Sequence, residues 1–339
     1  MEEVVFFDYS GAKLFLSMSE FEIGVNSLIE NERVELKSNP NLSSITIDED
    51  LVEFDSIKIP RSAVFVFYPW RRAMIITHGK SVFNSLKYTR NNYKIESNEQ
   101  DNLLSKTIGI VGLSVGCSIV KAIVMEGLCG RIKIADFDTL DISNTNRIDW
   151  GVFDIGKPKV DLVYRWIKES NPFIHVDVFE GGINADNIDD FFGSSEDKLH
   201  VVVDECDSLR TKINLRRYAK KSLIPLVMHT SDRGMLDIEN YNLENEYNSF
   251  LFQFDDYSDD ELRSNAGKII AEFCELKTAS KRSVYSFMEI GKSISSWPQL
   301  AEDVVSGAGN VSSVLRRLLL GETLLSQRAY INCENLKTL

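Results

Sequence analysis

Cysteine is scarce and scattered in this chain: Cys117, Cys129, Cys206, Cys274 and Cys333 form no C-x-x-C pair. No disulfide framework is implied, and reduced thiols are expected. Positive charge is also in deficit. Against 51 Asp and Glu stand 38 Lys and Arg, a formal net charge of −13. That balance disfavours nonspecific nucleic-acid binding, whose affinity comes largely from cations meeting phosphates. No apolar run reaches the ~18 residues of a membrane span. The opening residues, MEEVVFFDYSGAKLF, are acidic where a signal peptide would be basic, so a cytoplasmic protein with no membrane partner is expected. His78, His175, His200 and His229 are dispersed, and each reads as an ordinary surface or core histidine. Internal repeats and low-complexity tracts are missing too.

What is present fits two compact units, since a single core rarely grows past ~250 to 300 residues and the chain has 339. Residues 1–86 read as a small α+β extension: an early strand VVFFDY, a helix near Ser19 to Glu32, then short alternating segments around SITID, VEFDSIKI and AVFVFYPW. Residues 87–104 are polar and read as a connector. From residue 105 to the end, strands such as TIGIVG, RIKIADF, HVDVFE, HVVVDEC and PLVMHT alternate with amphipathic stretches, followed by a C-terminal helical region. Such alternation predicts a Rossmann-like α/β domain whose sheet is mainly parallel.

The most informative stretch runs from Thr107 to Arg147. There an apolar strand enters the turn LSVG and a helix, and a second strand ends in ADFDTLDISNTNR. This is a nucleotide-binding βαβ unit: Gly112 and Gly116 permit close backbone approach, the helix N-terminus favours phosphate, and an acid ends the second strand within reach of a ribose. Beyond that acid lie Ser143, Asn144, Asn146 and Arg147, and then GKPK at residues 156–159. Amide, guanidinium and ammonium groups converging past a nucleotide site suggest a triphosphate, which hydride transfer does not require.

The runs DFDTLDISNTNR, GKPKVDLVYRWIKESNP and VVVDECDSLRTKINLRRYAKKSLIPLV together resemble the adenylating domain of the ThiF/MoeB/HesA superfamily, related to ubiquitin-activating enzymes. The resemblance covers roughly Lys87 to Asp237. It implies ATP and magnesium, and attack of a substrate carboxylate on the α-phosphorus. Asn144 and Arg147 match the family's S-N-x-x-R element and Lys159 its G-x-x-K lysine, groups that hold the triphosphate. Asp207 matches the magnesium-positioning aspartate; one carboxylate with phosphate oxygens suits that ion. Asp204 more readily supports the turn. Asp136 is the candidate for the ribose hydroxyls, with Asp138 assisting it or capping the next turn. The usual G-x-G-x-x-G falls on Gly112, Ser114 and Cys117, so Ser114 adds a Cβ where phosphates normally pass. Either Gly116 restores the approach or the loop holds nucleotide less tightly. KYTRN at residues 87–91 resembles the element whose last arginine, here Arg90, enters a neighbouring subunit's site as a finger, which implies a homodimer. The paired C-x-x-C zinc site of many members is absent from the sequence, so no zinc is expected.

The acyl substrate is less legible. The resemblance implies a carboxylate on a peptide or small protein, in ribosomal peptide natural-product maturation of the microcin C and pantocin A kind, where an N-terminal extension grips the peptide; residues 1–86 read either as such a peptide-binding unit or as a dimerisation or packing unit. The alternatives are the C-terminus of a ubiquitin-like or sulfur-carrier protein, a non-catalytic recognition protein, or a Rossmann oxidoreductase with NAD on Asp136. Cys206 and Cys274 read as buried, against a thioester intermediate. Thr230, Asp232 and Arg233 follow the strand PLVM near the mouth of the nucleotide pocket; Arg233 either holds a substrate carboxylate or pyrophosphate, or belongs to a plain loop turned by Gly234.

Overall fold

The structure, a computed structural model, describes every residue except 21, 43–44, 46–49, 55, 245 and 332–339. Cys333 and nearly all of SITID therefore lie outside the described residues. The chain divides into two units, Met1–Ser97 with Asn171–Phe173, and Asn98–Ser170 with Ile174–Leu339.

The first unit holds strands β1 (Val5–Phe7), β2 (Gly24–Ser27), β3 (Leu51–Phe54), β4 (Ile57–Pro60), β5 (Val64–Tyr68) and β6 (Ala73–Thr77), with helices α1 (Tyr9–Met18), α2 (Ile29–Ser38) and α3 (Lys80–Lys87). A four-stranded sheet in the order β1-β5-β6-β2 covers a core of Ala12, Ile29, Phe65, Met74 and Ile76, while VEFDSIKI folds as the β3–β4 hairpin. The expected helix over residues 19–32 is not formed. Asp8 instead caps a helix that ends at Met18, and Val25 and Asn26 pair in parallel with β6. A short, partly exposed edge strand leaves too few residues to show its period. The expected connector, residues 87–104, carries a helix, α4 (Ser97–Leu103).

The second unit is the α/β domain. Its strands are β7 (Thr107–Val111), β8 (Arg131–Ala135), β9 (His175–Phe179), β10 (Val201–Asp204), β11 (Leu226–Thr230), β12 (Met235–Glu239) and β13 (Gln327–Tyr330). Its further helices are α5 (Val115–Glu126), α6 (Lys159–Ser170), α7 (Ile188–Phe192), α8 (Leu209–Ser222), α9 (Asp259–Phe273), α10 (Lys281–Glu289) and α11 (Ala301–Leu319). The sheet runs β13-β12-β11-β10-β7-β8-β9. From β9 to β11 neighbours are parallel, and β12 and β13 add antiparallel. Every residue of β7 and of β10 is buried, as expected of parallel strands covered on both faces. The order reverses between β7 and β10, since β8 and β9 lie on one side of β7 and β10 on the other. That reversal opens a crevice at the strands' carboxyl ends.

One buried ion network ties the far side of that crevice together. Asp204, ending β10, meets Arg216 of α8 at 2.6 Å and Lys212 at 3.1 Å, and Arg216 also meets Glu239 of β12 at 2.7 Å. Tyr241 donates its hydroxyl to the other Glu239 oxygen. Burial pushes the Asp204 carboxyl up, but Lys212 and Arg216 outweigh it and hold it at about 2. Removing one member strands charges that burial has stripped of water. Arg216→Met is therefore expected to cost ~3–5 kcal/mol, seen as a lower urea midpoint, and exchanging Arg216, Asp204 and Glu239 together for apolar residues to cost less than Arg216→Met alone. A single exchange as mild as the triple would show that the network does not hold the fold.

Candidate active site

The strand ends β7, β8 and β10 place the candidate residues. Gly112 leaves β7 with φ +92°, and a Cβ on it would sit 2.4 Å from the carbonyl oxygen of Glu205. Glycine is required here twice over, by its dihedral and by the touching backbones of the two loops. Ser114 occupies the N-cap of α5, and its Oγ accepts from an Arg147 terminal nitrogen at 3.3 Å. The hydroxyl that replaces a family glycine thus anchors the arginine of the S-N-x-x-R element. Gly116 is buried, with its bare α-carbon facing Ile110 and Glu205. Its missing side chain lets α5 pack on β7.

Asp136 ends β8 with both oxygens engaged: Oδ2 accepts from the Leu113 N–H at 2.5 Å and Oδ1 from the Asp138 N–H at 2.8 Å. It locks the glycine turn to its own loop. Each carboxylate oxygen retains acceptor capacity. Asp138 pairs with Lys159 at 2.9 Å, its side chain half-exposed and the lysine's buried. The two sequence candidates thus face each other at the start of α6. Asn144 accepts from the Asp141 N–H through Oδ1 at 3.1 Å and closes the 3-10 turn Ile142–Asn144. Arg147 also donates to the Ser143 carbonyl at 3.0 Å and to Asn146 at 2.9 Å. Burial lowers its pKa while the charge of Asp207 raises it, so this guanidinium lies within the field of the exposed Asp207 at the end of the β10 loop.

Two sets therefore emerge, Ser114–Arg147–Asp207 across the β7/β10 crevice and Asp136–Asp138–Lys159 beside it, joined through the Leu113 N–H. Arg90 belongs to the first unit, exposed in the 3-10 turn Thr89–Asn91. Arg233 does not face a ligand site. It is bound to Asp232 at 2.7 Å, Thr278 at 2.6 Å and the Cys274 carbonyl at 2.8 Å, with its guanidinium over the Tyr330 ring. For Arg233 the bland reading fits, with Gly234, at φ +58°, turning the chain into β12, whereas Thr230 and Asp232 of the same loop line a cavity beside Asp207.

Sequence reasoning missed the cavity on the β11 flank of Asp207. It measures about 240 Å³ and is lined by Glu205, Lys212, Met228, Phe287, Trp297 and neighbours. Its outer wall comes from helices far along the chain that no motif marks, while Cys206, Asp207, Thr230 and Asp232 belong to stretches singled out in the sequence. A roomier hollow of about 570 Å³ near β9, bounded by Asp177, Asp189, Asp190 and Asp197, is acidic and would repel a triphosphate. Glu205 accepts from the His229 N–H at 2.8 Å. Its carboxyl is pushed up to about 8, first by burial and further by Asp204 and Asp207, against that N–H and Lys212. Cys206 and Cys274 line the same cavity with thiols that burial pushes up.

Residues 88–256 match the ThiF family. An uncharacterized protein of Mycobacterium tuberculosis is 36% identical over 272 residues, 79% of this chain and 38% of that protein. The tRNA threonylcarbamoyladenosine dehydratase of Bacillus subtilis is 30% identical over 143 residues, 42% of this chain and 55% of that enzyme. The chain thus spans less than two thirds of the length of either relative. Among solved structures, PaaA superposes with a TM-score of 0.55 at 20% identity over 77% of this chain and 82% of its own. Escherichia coli TcdA in complex with ATP gives 0.51 at 17% identity, over 71% of this chain and 96% of its own. These two likenesses speak to the fold. The chain belongs to the ThiF family, within the ThiF/MoeB adenylating superfamily.

Two outcomes follow from the geometry. Gly112→Ala is expected to destabilise by at least ~2 kcal/mol, because it adds a clash to a strained φ; an unchanged urea midpoint would refute the close approach. Protonated Glu205 contributes stability fully present below its ordinary 4.5 and lost as pH rises through about 8. His229, which burial pushes down to about 4, contributes in the opposite sense, fully above its ordinary 6.5 and lost as pH falls through about 4. Glu205→Gln should abolish the alkaline decline in urea midpoint between pH 6 and 9, and persistence of that decline would rule Glu205 out as its source.

Proposed function

We propose that this protein activates a carboxylate with ATP, forming an acyl-adenylate and pyrophosphate. The observation that carries the reading is the convergence of Arg147, on Ser114 of the glycine turn, with Asp207 across the β7/β10 crevice. A carboxylate oxygen forms a bond to the α-phosphorus, the bond from that phosphorus to the bridging oxygen breaks, and pyrophosphate leaves with the electron pair. Arg147 and Lys159 neutralise charge that builds on the phosphates, Asn144 orients them, and Asp136 receives the ribose.

The residues fit magnesium as a companion of the triphosphate. Asp207 is an exposed carboxylate at the crevice, and magnesium held by one or two carboxylates, phosphate oxygens and waters would supply charge neutralisation there. Arg90, on the family resemblance, completes the site of a second copy as a finger.

For the substrate, the reading is a carboxylate on a peptide or small protein, in peptide maturation. The dehydratase relatives bear names that point to a tRNA-borne group instead. A net charge of −13 favours the peptide, since tRNA would meet a predominantly negative chain.

The test is exchange of labelled pyrophosphate into ATP, driven by candidate peptides, carrier proteins and tRNA. Peptide-dependent exchange is expected, with Asp207→Ala and Arg147→Ala each lowering it ~10²–10³-fold. ATP binding without exchange for any carboxylate would make the chain a recognition protein. NAD binding in place of ATP would overturn the adenylation reading.

A further inference from the structure

The nucleotide groups lie along the ends of β8, β7 and β10, from Asp136 through Gly112 to Asp207. The 240 Å³ cavity opens on the opposite flank of Asp207, at the ends of β10 and β11. It is smaller than the ~300–1,000 Å³ of pockets that take a whole drug-sized ligand, so it suits one side chain better than a nucleotide. One part of its lining is charged, with Lys212, Glu205 and the exposed Asp207, and another is aromatic, where Phe287 and Trp297 meet edge to face at 6.2 Å, both only partly buried. Aromatic rings left half-covered on a concave wall are completed when an apolar group fills the cavity.

The wall is fastened to the adenylating machinery. Asn146, next to Arg147, donates to the carbonyl of Gln299 at 2.9 Å, which ties the Trp297 segment to the phosphate loop. Ser283 of α10 donates to Asp232 at 2.8 Å, which pins the helix of Phe287 to the β11–β12 turn. A group seated here is held in register with the nucleotide.

From this placement we infer that the cavity is an acyl subsite, which selects a substrate whose carboxyl-terminal residue has a large apolar side chain. That side chain enters between Phe287 and Trp297 while its carboxylate lies toward Asp207. The inference rests on the adenylation reading for the fate of the carboxylate. It disfavours a glycine tail, which would leave the cavity empty and its rings half-wet.

The experiment uses the full chain and one hexapeptide ended in turn by Gly, Ala, Leu, Phe, Asp or Lys. Pyrophosphate exchange gives kcat/KM for each, and calorimetry gives direct binding. Leu- or Phe-ended peptides are expected to exceed the Gly-ended one at least ~10-fold, as a few added methylenes in an apolar pocket allow. Phe287→Ala and Ile290→Lys, both at partly exposed positions, should each narrow that gap, with thermal melting confirming that the variants fold. Equal use of all peptides, or preference for Gly, overturns the subsite and leaves adenylation standing. If no peptide supports exchange, calorimetry decides the selectivity: tighter binding of the Phe-ended peptide than the Gly-ended one, weakened by Phe287→Ala, upholds it, and equal binding refutes it.

Discussion

The buried pairing of Asp204 with Arg216 is the constraint on which the crevice depends. Both side chains are fully buried, and neither charge could stay there without the other. Because Arg216 also holds Glu239, one guanidinium joins the end of β10, the body of α8 and the antiparallel strand β12. The result is a fixed β10 exit. Gly112 can touch the Glu205 carbonyl only if that exit is fixed, and Asp207 can face Arg147 only from there. Asp204 and Asp207 stand three residues apart with opposite fates, one desolvated and paired within the fold, the other exposed at the crevice.

The central βαβ unit was legible because its signals are local. Five buried residues in β7, the glycine that leaves it and the acid that ends β8 all fall within a short run of sequence, and the fully apolar strands announced a parallel sheet. Ser114, Arg147 and Asp207 stand out in the sequence through the family resemblance, although the Ser114 hydroxyl as anchor for Arg147 was not foreseen. What stayed hidden was long-range. LRTKINLRRYAKKS looks like a solvated basic helix, yet Arg216 points inward, because its partners Asp204 and Glu239 lie 12 and 23 positions away. Likewise, the cavity walls at Met228, Phe287 and Trp297 come from separate elements that only the fold assembles. In the first unit the failure was of another kind: β2 is a short strand between two helices, and its few residues carry too little periodicity to outweigh a helical reading.

Glu205 shows how geometry sets chemistry at this site. Its neighbours Asp204 and Asp207 and its own burial favour the proton, whereas Lys212 and the His229 N–H favour the charge. The proton wins chiefly because burial strips the carboxylate of water, and Lys212, which pairs with Asp204 at 3.1 Å, offsets only part of that cost. The same ammonium cannot fully neutralise two carboxylates. The cavity next to Asp207 thus presents a neutral carboxyl near pH 7, a hydrogen-bond donor and not a second anion to repel a substrate carboxylate.

The pairing of Lys159 with Asp138 completes the picture. The lysine is buried and the aspartate half-exposed, so if the pair opens, it is Asp138 that moves to water at little cost. Lys159 cannot follow, because its ammonium would have to remain charged inside the domain with no anion beside it. A phosphate oxygen that takes the place of Asp138 meets that requirement, and Arg147 stands ready in the same way on the neutral Ser114 hydroxyl. On the adenylating reading, nucleotide entry is an exchange of partners for charges already in position. Little new desolvation is needed, and the cations are oriented before the triphosphate arrives.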